Sequence, residues 1–319
     1  MKPLNRNWFV RARLKSRHIP VLVALGETAN LNRAAAGLGI SQPAMSKLLK
    51  ELEEGLDVQL FERHARGMVP TRYGEAMIRH ARRLLTQLDD AFDEVNSLRD
   101  GQVGSVRIGT ILTPCADLLP ELTRQIKQHH PALELSIRTG SSRDLLAALH
   151  DGELDFLIAR FFAEADQQGL RFEALHQEPL AVCARPGLID HRLGLHELHG
   201  MDWVLPPPGS VLRHEFDAVF LNAGMPPPSK VVNVENLLLV TTLLEKNPML
   251  TVLPREVAAH YGRYGMLEVV EVEEGIEACL NRNLMAYGVI TQNEELLSPA
   301  AKSVLALLRD SAGVCRNLR

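Results

Sequence analysis

Three observations predict a multi-domain α+β chain: a winged helix-turn-helix head, a long coiled-coil helix, and a two-lobed α/β body of the periplasmic-binding-protein type. Two short helical patterns flank a glycine and are followed by an arginine-bearing hairpin, over Leu31 to Gly74. A stretch from Glu75 to about Arg99 has neither Gly nor Pro and carries apolar residues in a heptad rhythm. From about residue 101 onward, short apolar runs alternate with amphipathic ones, the strand–helix–strand pattern of a mainly parallel sheet. The boundaries read from these changes are 1–74 for the head, 75–100 for the linker helix and 101–319 for the body. Within the body, lobe I is expected at 101–162 and 269–319, and lobe II at 163–268.

In the head, Asn32 is the expected N-cap of a short Ala-rich helix from Arg33 to Leu38, whose small side chains let a second helix cross closely. Gly39 supplies the turn. Ser41 caps the next helix, and Pro43 falls in its first turn, where backbone N–H groups have no helical partner to lose. Met45, Leu49, Leu52 and Leu56 recur at helical spacing and are expected to face inward. The opposite face presents Gln42, Ser46, Lys47 and Lys50. Such a helix suits the major groove of duplex DNA: glutamine pairs bidentately with adenine, serine meets several base edges, and lysine holds phosphates. Asn32 and Arg33 extend this surface. Arg63, Arg66 and Arg72 are placed on a hairpin at Gly67, where they would grip phosphates or a minor groove.

The segment AAAGLGISQPAMSKLLKELEEGL followed by LFERHARGMVPTRYG resembles the N-terminal domain of the LysR-type transcriptional regulators. The residues carrying the resemblance are Ala34, Ala35, Leu38, Ser41, Gln42, Pro43, Ala44, Ser46, Leu52, Glu53, Leu60, Phe61, Arg63, Arg66, Gly67, Thr71 and Gly74. Leu48 and Val69-Pro70 depart from the family pattern. The long basic opening, MKPLNRNWFVRARLKSRH, is similar to that of the subgroup regulating carbohydrate uptake, the galactose-binding-protein regulators. The resemblance implies dimers that pair into tetramers, an interrupted palindromic promoter site, and a body that binds an effector.

Charge is uneven along the chain. Residues 1–88 carry 15 Lys/Arg against 7 Asp/Glu, leaving 20 against 32 for the remainder, although the whole chain is only −4. A basic module fused to an acidic one suits a nucleic-acid-binding head on a body that avoids phosphate. No apolar run is long enough to span a bilayer and no secretory signal pattern follows the basic opening, so a cytoplasmic protein is expected. Cys115, Cys183, Cys279 and Cys315 lie far apart with no metal-ligand spacing, so neither a metal nor a cofactor is expected. Cys115, beside Thr113-Pro114, is read as a small buried hydrophobe, with a redox-sensing thiol as the alternative.

Met77, Ala81, Leu84, Leu88, Ala91, Val95 and Leu98 repeat with steps of four and three, the seam of a two-stranded coiled coil rather than a simple amphipathic face. A second copy of the chain is the expected partner, setting two recognition helices on two half-sites.

In the body, strands are expected at Val106–Gly109, Leu133–Arg138 and Phe156–Ala159, with helices at Pro114–His129 and Ser142–Leu149. The chain returns through Leu284–Ile290 to a final helix at Pro299–Leu308. A small molecule, sugar or small carboxylate, is expected between the lobes. Candidate contacts are Thr110, Thr113, Thr139, Ser141, Ser210 and Asn236, all beside helix starts where free N–H groups bind anions or sugar oxygens. Simple capping is the rival role for each. Arg160, at a strand end, either meets a ligand carboxylate or makes an ordinary ion pair. Enzyme signatures such as GxSxG, a GKS/T loop or HExxH are absent. The function expected is therefore a regulator that binds promoter DNA, answers to a metabolite and alters contact with RNA polymerase. A purely structural DNA-bending protein would have no need of two lobes.

Overall fold

The computed structural model describes residues 14–64, 67–100, 104–161, 169–282 and 286–317. The chain divides into two compact units: residues up to Gly104 together with Ala147–Leu154, and the remainder from Ser105.

The first unit opens with α1 (His18–Thr28), α2 (Leu31–Gly37) and α3 (Gln42–Leu56), followed by a hairpin of β1 (Phe61–His64) and β2 (Gly67–Pro70) and the long α4 (Arg72–Asp100). Asn30, not Asn32, caps α2: its side chain accepts from the N–H groups of Asn32 and Arg33 at 3.0 and 3.1 Å. An asparagine two residues earlier does the same job, and Leu31 rather than Arg33 then begins the helix. Gly39 takes the left-handed φ of +64° that the turn requires, and Ser41 caps α3 by accepting from Ala44 N–H. Ala34 and Ala35 are buried where α2 meets its neighbours, and Met45, Leu49 and Leu52 join them in one core; Leu56 is half-buried.

Glu53 anchors the wing. Its Oε1 accepts from the N–H groups of Leu60 and Phe61, at 2.8 and 3.2 Å, so the recognition helix fixes where β1 begins. Arg72 is the first residue of α4 rather than part of the hairpin. Helix α4 starts three residues before the expected Glu75 because Thr71 caps its first turn, accepting from Gly74 N–H while donating to Gln59 O.

His18 is fully buried at the start of α1. Its Nδ1 accepts from Lys15 N–H and its Nε2 lies 3.4 Å from Glu51. Burial lowers its pKa below the ordinary 6.5, outweighing the upward pull of Glu51. The folded head thus disfavours a proton that the unfolded chain accepts, and stability present above pH 6.5 falls as the pH drops below it. Urea midpoints measured between pH 7.5 and 5 are expected to decline, and a His18→Gln variant is expected to show a flatter profile.

The second unit holds two five-stranded sheets. The first contains β3 (Ser105–Thr110), β4 (Glu134–Thr139), β5 (Phe156–Ala159), β6 (Arg171–His176) and β12 (Tyr287–Thr291), in the order β4-β3-β5-β12-β6. Strands β4, β3 and β5 are parallel, and β12 runs antiparallel to both neighbours. Helices α5 (Leu118–His129), α6 (Ser142–Asp151) and α12 (Pro299–Asn317) belong to the same stretch of topology. The second sheet contains β7 (Leu180–Ala184), β8 (Asp202–Leu205), β9 (Val231–Asn233), β10 (Met249–Pro254) and β11 (Glu268–Val269), in the order β11-β7-β10-β8-β9. Helices α7 (Leu195–Gly200), α8 (Val211–Asn222), α9 (Leu237–Lys246) and α10 (Arg255–Arg263) connect its strands, and α11 (Glu274–Arg282) follows β11 on the way back to β12 of the first sheet. One face packs around Trp203, Phe216 and Phe220, with ring centroids 4.6 and 5.3 Å apart.

The expected lobe limits need correction at both ends. Strand β6, assigned by sequence to lobe II, pairs with β12 in the first sheet, where Arg309 of α12 bonds Glu173 at 2.7 Å. Conversely α11, assigned to lobe I, lays Ile276 and Leu280 on the core of the second sheet. Apolar patterning marks each strand but not which sheet it joins. The helix expected from Pro114 is a single 3₁₀ turn, Thr113–Cys115, with α5 beginning at Leu118.

Candidate nucleic-acid interface and ligand cleft

On α3, Gln42, Pro43, Lys47 and Lys50 are exposed and Ser46 is half-buried. They stand opposite the buried Met45 and Leu49, so the helix buries one stripe and leaves a polar one free, as a groove-reading helix must. Lys50 has Glu54 one turn on, at 3.6 Å. Arg33 and Asn32 are exposed in the first turn of α2. Arg63, on β1, donates from Nη2 to Ser46 Oγ at 3.3 Å, tying the wing to the recognition helix. Arg72 stacks over Tyr73, its guanidinium carbon 4.8 Å from the ring centroid, and donates to the phenol oxygen at 2.7 Å. Arg66 lies outside the described residues.

The heptad seam divides in two. Met77 and Ala81 pack into the head's own core beside Ile78, so the first heptad is not available to a partner. This follows from α4 crossing α1, where the Cβ that Gly26 lacks would stand 2.9 Å from Ile78. Further along, Leu84, Leu88, Ala91 and Val95 are exposed, as is Phe92 at 68%. The side chain of Leu98 lies outside the described residues.

In the second unit a cavity of about 340 Å³ opens between the two lobes. Its walls follow the carboxyl ends of the parallel strands: Ile111 and Leu112 after β3, Gly140–Asp144 after β4, Arg160 after β5, Pro207–Leu212 after β8, Glu235 after β9 and Pro254 closing β10. Loops at strand carboxyl ends are where open α/β sheets bind ligands. Of the sequence-derived candidates, Ser141, Arg160 and Ser210 line this cavity. Ser210 also caps α8, accepting from Arg213 N–H at 3.3 Å, and Ser141 accepts from Asp144 N–H while donating to its carboxylate.

Four candidates do not line it. Thr110 is buried and donates to Ile111 O; Thr113 is buried within the 3₁₀ turn; Thr139 is exposed at the end of edge strand β4; Asn236 caps α9, accepting from Leu239 N–H. A hydroxyl or amide beside a helix start is a cap first, and sequence alone does not say which starts face the cleft.

The residue that sequence reasoning missed is Glu178, between β6 and β7. It is 3% exposed and forms an ion pair with Arg160, itself 6% exposed, on the cavity wall. Burial pushes the Arg160 guanidinium down to about 10, which leaves it charged at neutral pH. The signal available was a carboxylate immediately before Pro179, ahead of the apolar run Leu180–Ala184. Cys115 has its thiol pushed up by burial, and Cys183 is pushed up to about 12 for the same reason, the reverse of what a reactive thiol needs.

Comparison with known proteins agrees with this geometry. Residues 16–75 match the model of the bacterial regulatory helix-turn-helix protein, lysR family, and residues 99–313 match that of the LysR substrate binding domain. The chain is 38% identical over 307 residues to the HTH-type transcriptional regulator GbpR of Azospirillum brasilense, covering 95% of this chain and 88% of the relative. It is 33% identical over 236 residues to GbpR of Rhizobium radiobacter, covering 71% and 77%. Among solved structures, CbnR, a LysR family transcriptional regulator, superposes with a TM-score of 0.65 at 23% identity, covering 94% of this chain and 99% of that one. The chain belongs to the LysR family of DNA-binding transcriptional regulators, with an effector-binding domain following its helix-turn-helix.

Proposed function

We propose that two copies of the chain pair through Leu84, Leu88, Ala91 and Val95 and set their recognition helices on the half-sites of an interrupted palindrome in a promoter. Dimers join further into tetramers. Gln42 and Ser46 read base edges, while Arg33, Lys47, Lys50 and Arg63 hold phosphates. A small metabolite, sugar or small carboxylate, enters the cleft lined by Ser141, Arg160 and Ser210. Its binding alters the dimer-to-dimer angle, and with it DNA bending and contact with RNA polymerase. The protein works in the cytoplasm on nucleoid DNA. The observation that carries this reading is the polar stripe of α3, exposed beside a wing whose Arg63 is bonded to it.

The test is fluorescence anisotropy of DNA from upstream of the protein's own gene, against scrambled DNA, across a salt series. Gln42→Ala is expected to cost about 1–3 kcal/mol at one base position and to relax the preference there. Arg63→Ala is expected to weaken all sequences alike and to lower the salt slope by about one. If Gln42→Ala leaves affinity and preference untouched, α3 does not read the bases.

A further inference from the structure

We infer that the basic segment leading into α1 is a second grip on duplex DNA, on the flank of α3 opposite the wing. This rests on α3 being the helix that meets DNA. Going around α3 from Ser46, the residues Lys50, Lys47 and Glu51 follow at roughly 40°, 100° and 140°. Ser46 marks one border of this exposed stripe, because Arg63 of the wing donates to it. Glu51 marks the other: its Oε2 accepts from Lys15 Nζ at 3.2 Å and from Arg17 Nη2 at 3.3 Å. The exposed Lys47 and Lys50 therefore stand between a wing cation on one side and two cations of the entering chain on the other.

Glu51 does not use up those two cations. One carboxylate balances only one of them, and the Lys15 and Arg17 side chains are 51% and 56% exposed. Ion pairs in such exposed positions contribute little, so a phosphate takes over either cation at small cost.

The sequence upstream continues the charge. Residues 1–17 hold Lys2, Arg6, Arg11, Arg13, Lys15 and Arg17, and the first acidic residue of the chain is Glu27. A run of cations without acids is the composition of a nucleic-acid-binding arm. Glu51 fixes its downstream end beside the groove-facing helix. Most of the run precedes residue 16, where the match to the helix-turn-helix family begins, so it adds to the shared domain. Residues 1–13 reach at most about 45 Å as a covalent chain, enough to follow the backbone past one half-site. An anionic membrane also attracts basic segments, but the placement beside α3 favours DNA. Contacts to phosphates carry no sequence information and register in the salt dependence of binding.

The experiment is fluorescence anisotropy of the full chain on the upstream duplex and on a scrambled one, between about 50 and 200 mM salt. Arg6→Ala/Arg11→Ala/Arg13→Ala is expected to lose at least about tenfold in affinity on both duplexes, with their ratio held within about twofold. Its slope of log K against log salt is expected to fall by about two or more. The same three positions changed to lysine keep the charges and are expected to keep the slope. An unchanged slope in the alanine variant overturns the inference, and so does a loss that the lysine variant shares. Should urea denaturation show the alanine variant's head to be misfolded, Lys15→Gln/Arg17→Gln decides instead. Its slope is expected to fall by about one or more, and an unchanged slope there overturns the inference. Vesicles of phosphatidylglycerol and phosphatidylcholine form the other arm of the test. Vesicle binding that the alanine variant loses while its DNA slope stays unchanged assigns the segment to a membrane surface and overturns the grip on DNA. Gln42→Ala separates this inference from the base-reading role of α3. If it leaves sequence preference untouched while the alanine variant lowers the slope, base reading fails and the grip stands; in the reverse case only the grip falls.

Discussion

Replacing Gly74 with alanine is expected to cost the head about 3 kcal/mol or more and to abolish specific DNA binding at moderate salt. A Cβ there would sit 2.0 Å from the carbonyl oxygen of Leu60 and 3.0 Å from its carbon. Those are backbone atoms, so no rotamer change relieves the clash. Leu60 is also held from three sides: its N–H donates to Glu53, its carbonyl accepts from Thr71 N–H, and its side chain is fully buried. The added methyl must therefore push α4 away from the root of the wing, which displaces the element carrying Arg63. Gly37 is the matched control. It ends α2 with nothing within 4 Å of its missing Cβ, so Gly37→Ala is expected to be neutral or mildly stabilising. Urea denaturation of both variants checks the difference. Equal midpoints would mean that the wing root gives way freely.

The second large effect is expected from Leu88→Glu. Leu88 is 58% exposed, with Leu84 four residues before it and Val95 seven residues after it also open. A second copy pairing there would bury all of them, and a glutamate set against its own twin in that seam adds like-charge repulsion to lost apolar contact. Sedimentation is expected to shift from dimer to monomer. Affinity for a full two-half-site operator is expected to fall on the order of 10²-fold or more, because the second head loses its effective concentration. Affinity for a single half-site should hold, since Leu88 touches nothing in the head's core. A Leu88→Glu protein that still sediments as a dimer at micromolar concentration would place the partner surface elsewhere.

The head was legible in the sequence almost residue by residue, because its signals are local. Ser41 as a cap, Gly39 at positive φ, and the buried Met45, Leu49 and Leu52 all lie within one or two turns of what determines them. Strand β5 was legible for another reason: Phe156–Ala159 is buried on both faces and reads as an unbroken apolar run. What sequence could not supply was non-local. The cap of α2 moved from Asn32 to Asn30 because two asparagines stood within reach and only backbone geometry chooses between them. Strand β6 joined the first sheet through pairing with a strand more than a hundred residues later. The cleft followed the same rule. Ser141, Arg160 and Ser210 were nameable from helix starts and strand ends, but Glu178 acquires its meaning only from the arginine it meets across the fold.

The burial of Met77, Ile78 and Ala81 in the head has a mechanical consequence. It welds the first turns of α4 to the recognition module, so head and helix form one stiff spoke rather than two bodies on a joint. Twenty-nine residues at 1.5 Å each make that spoke about 43 Å long. Paired along their outer halves, as proposed above, two such spokes would act as a pair of callipers. Turning either free half, about 21 Å long, by about 10° would move its tip by about 4 Å, roughly one base-pair step along a duplex. Small changes in how the two helices cross would thereby become whole-base-pair changes in the spacing that the pair spans.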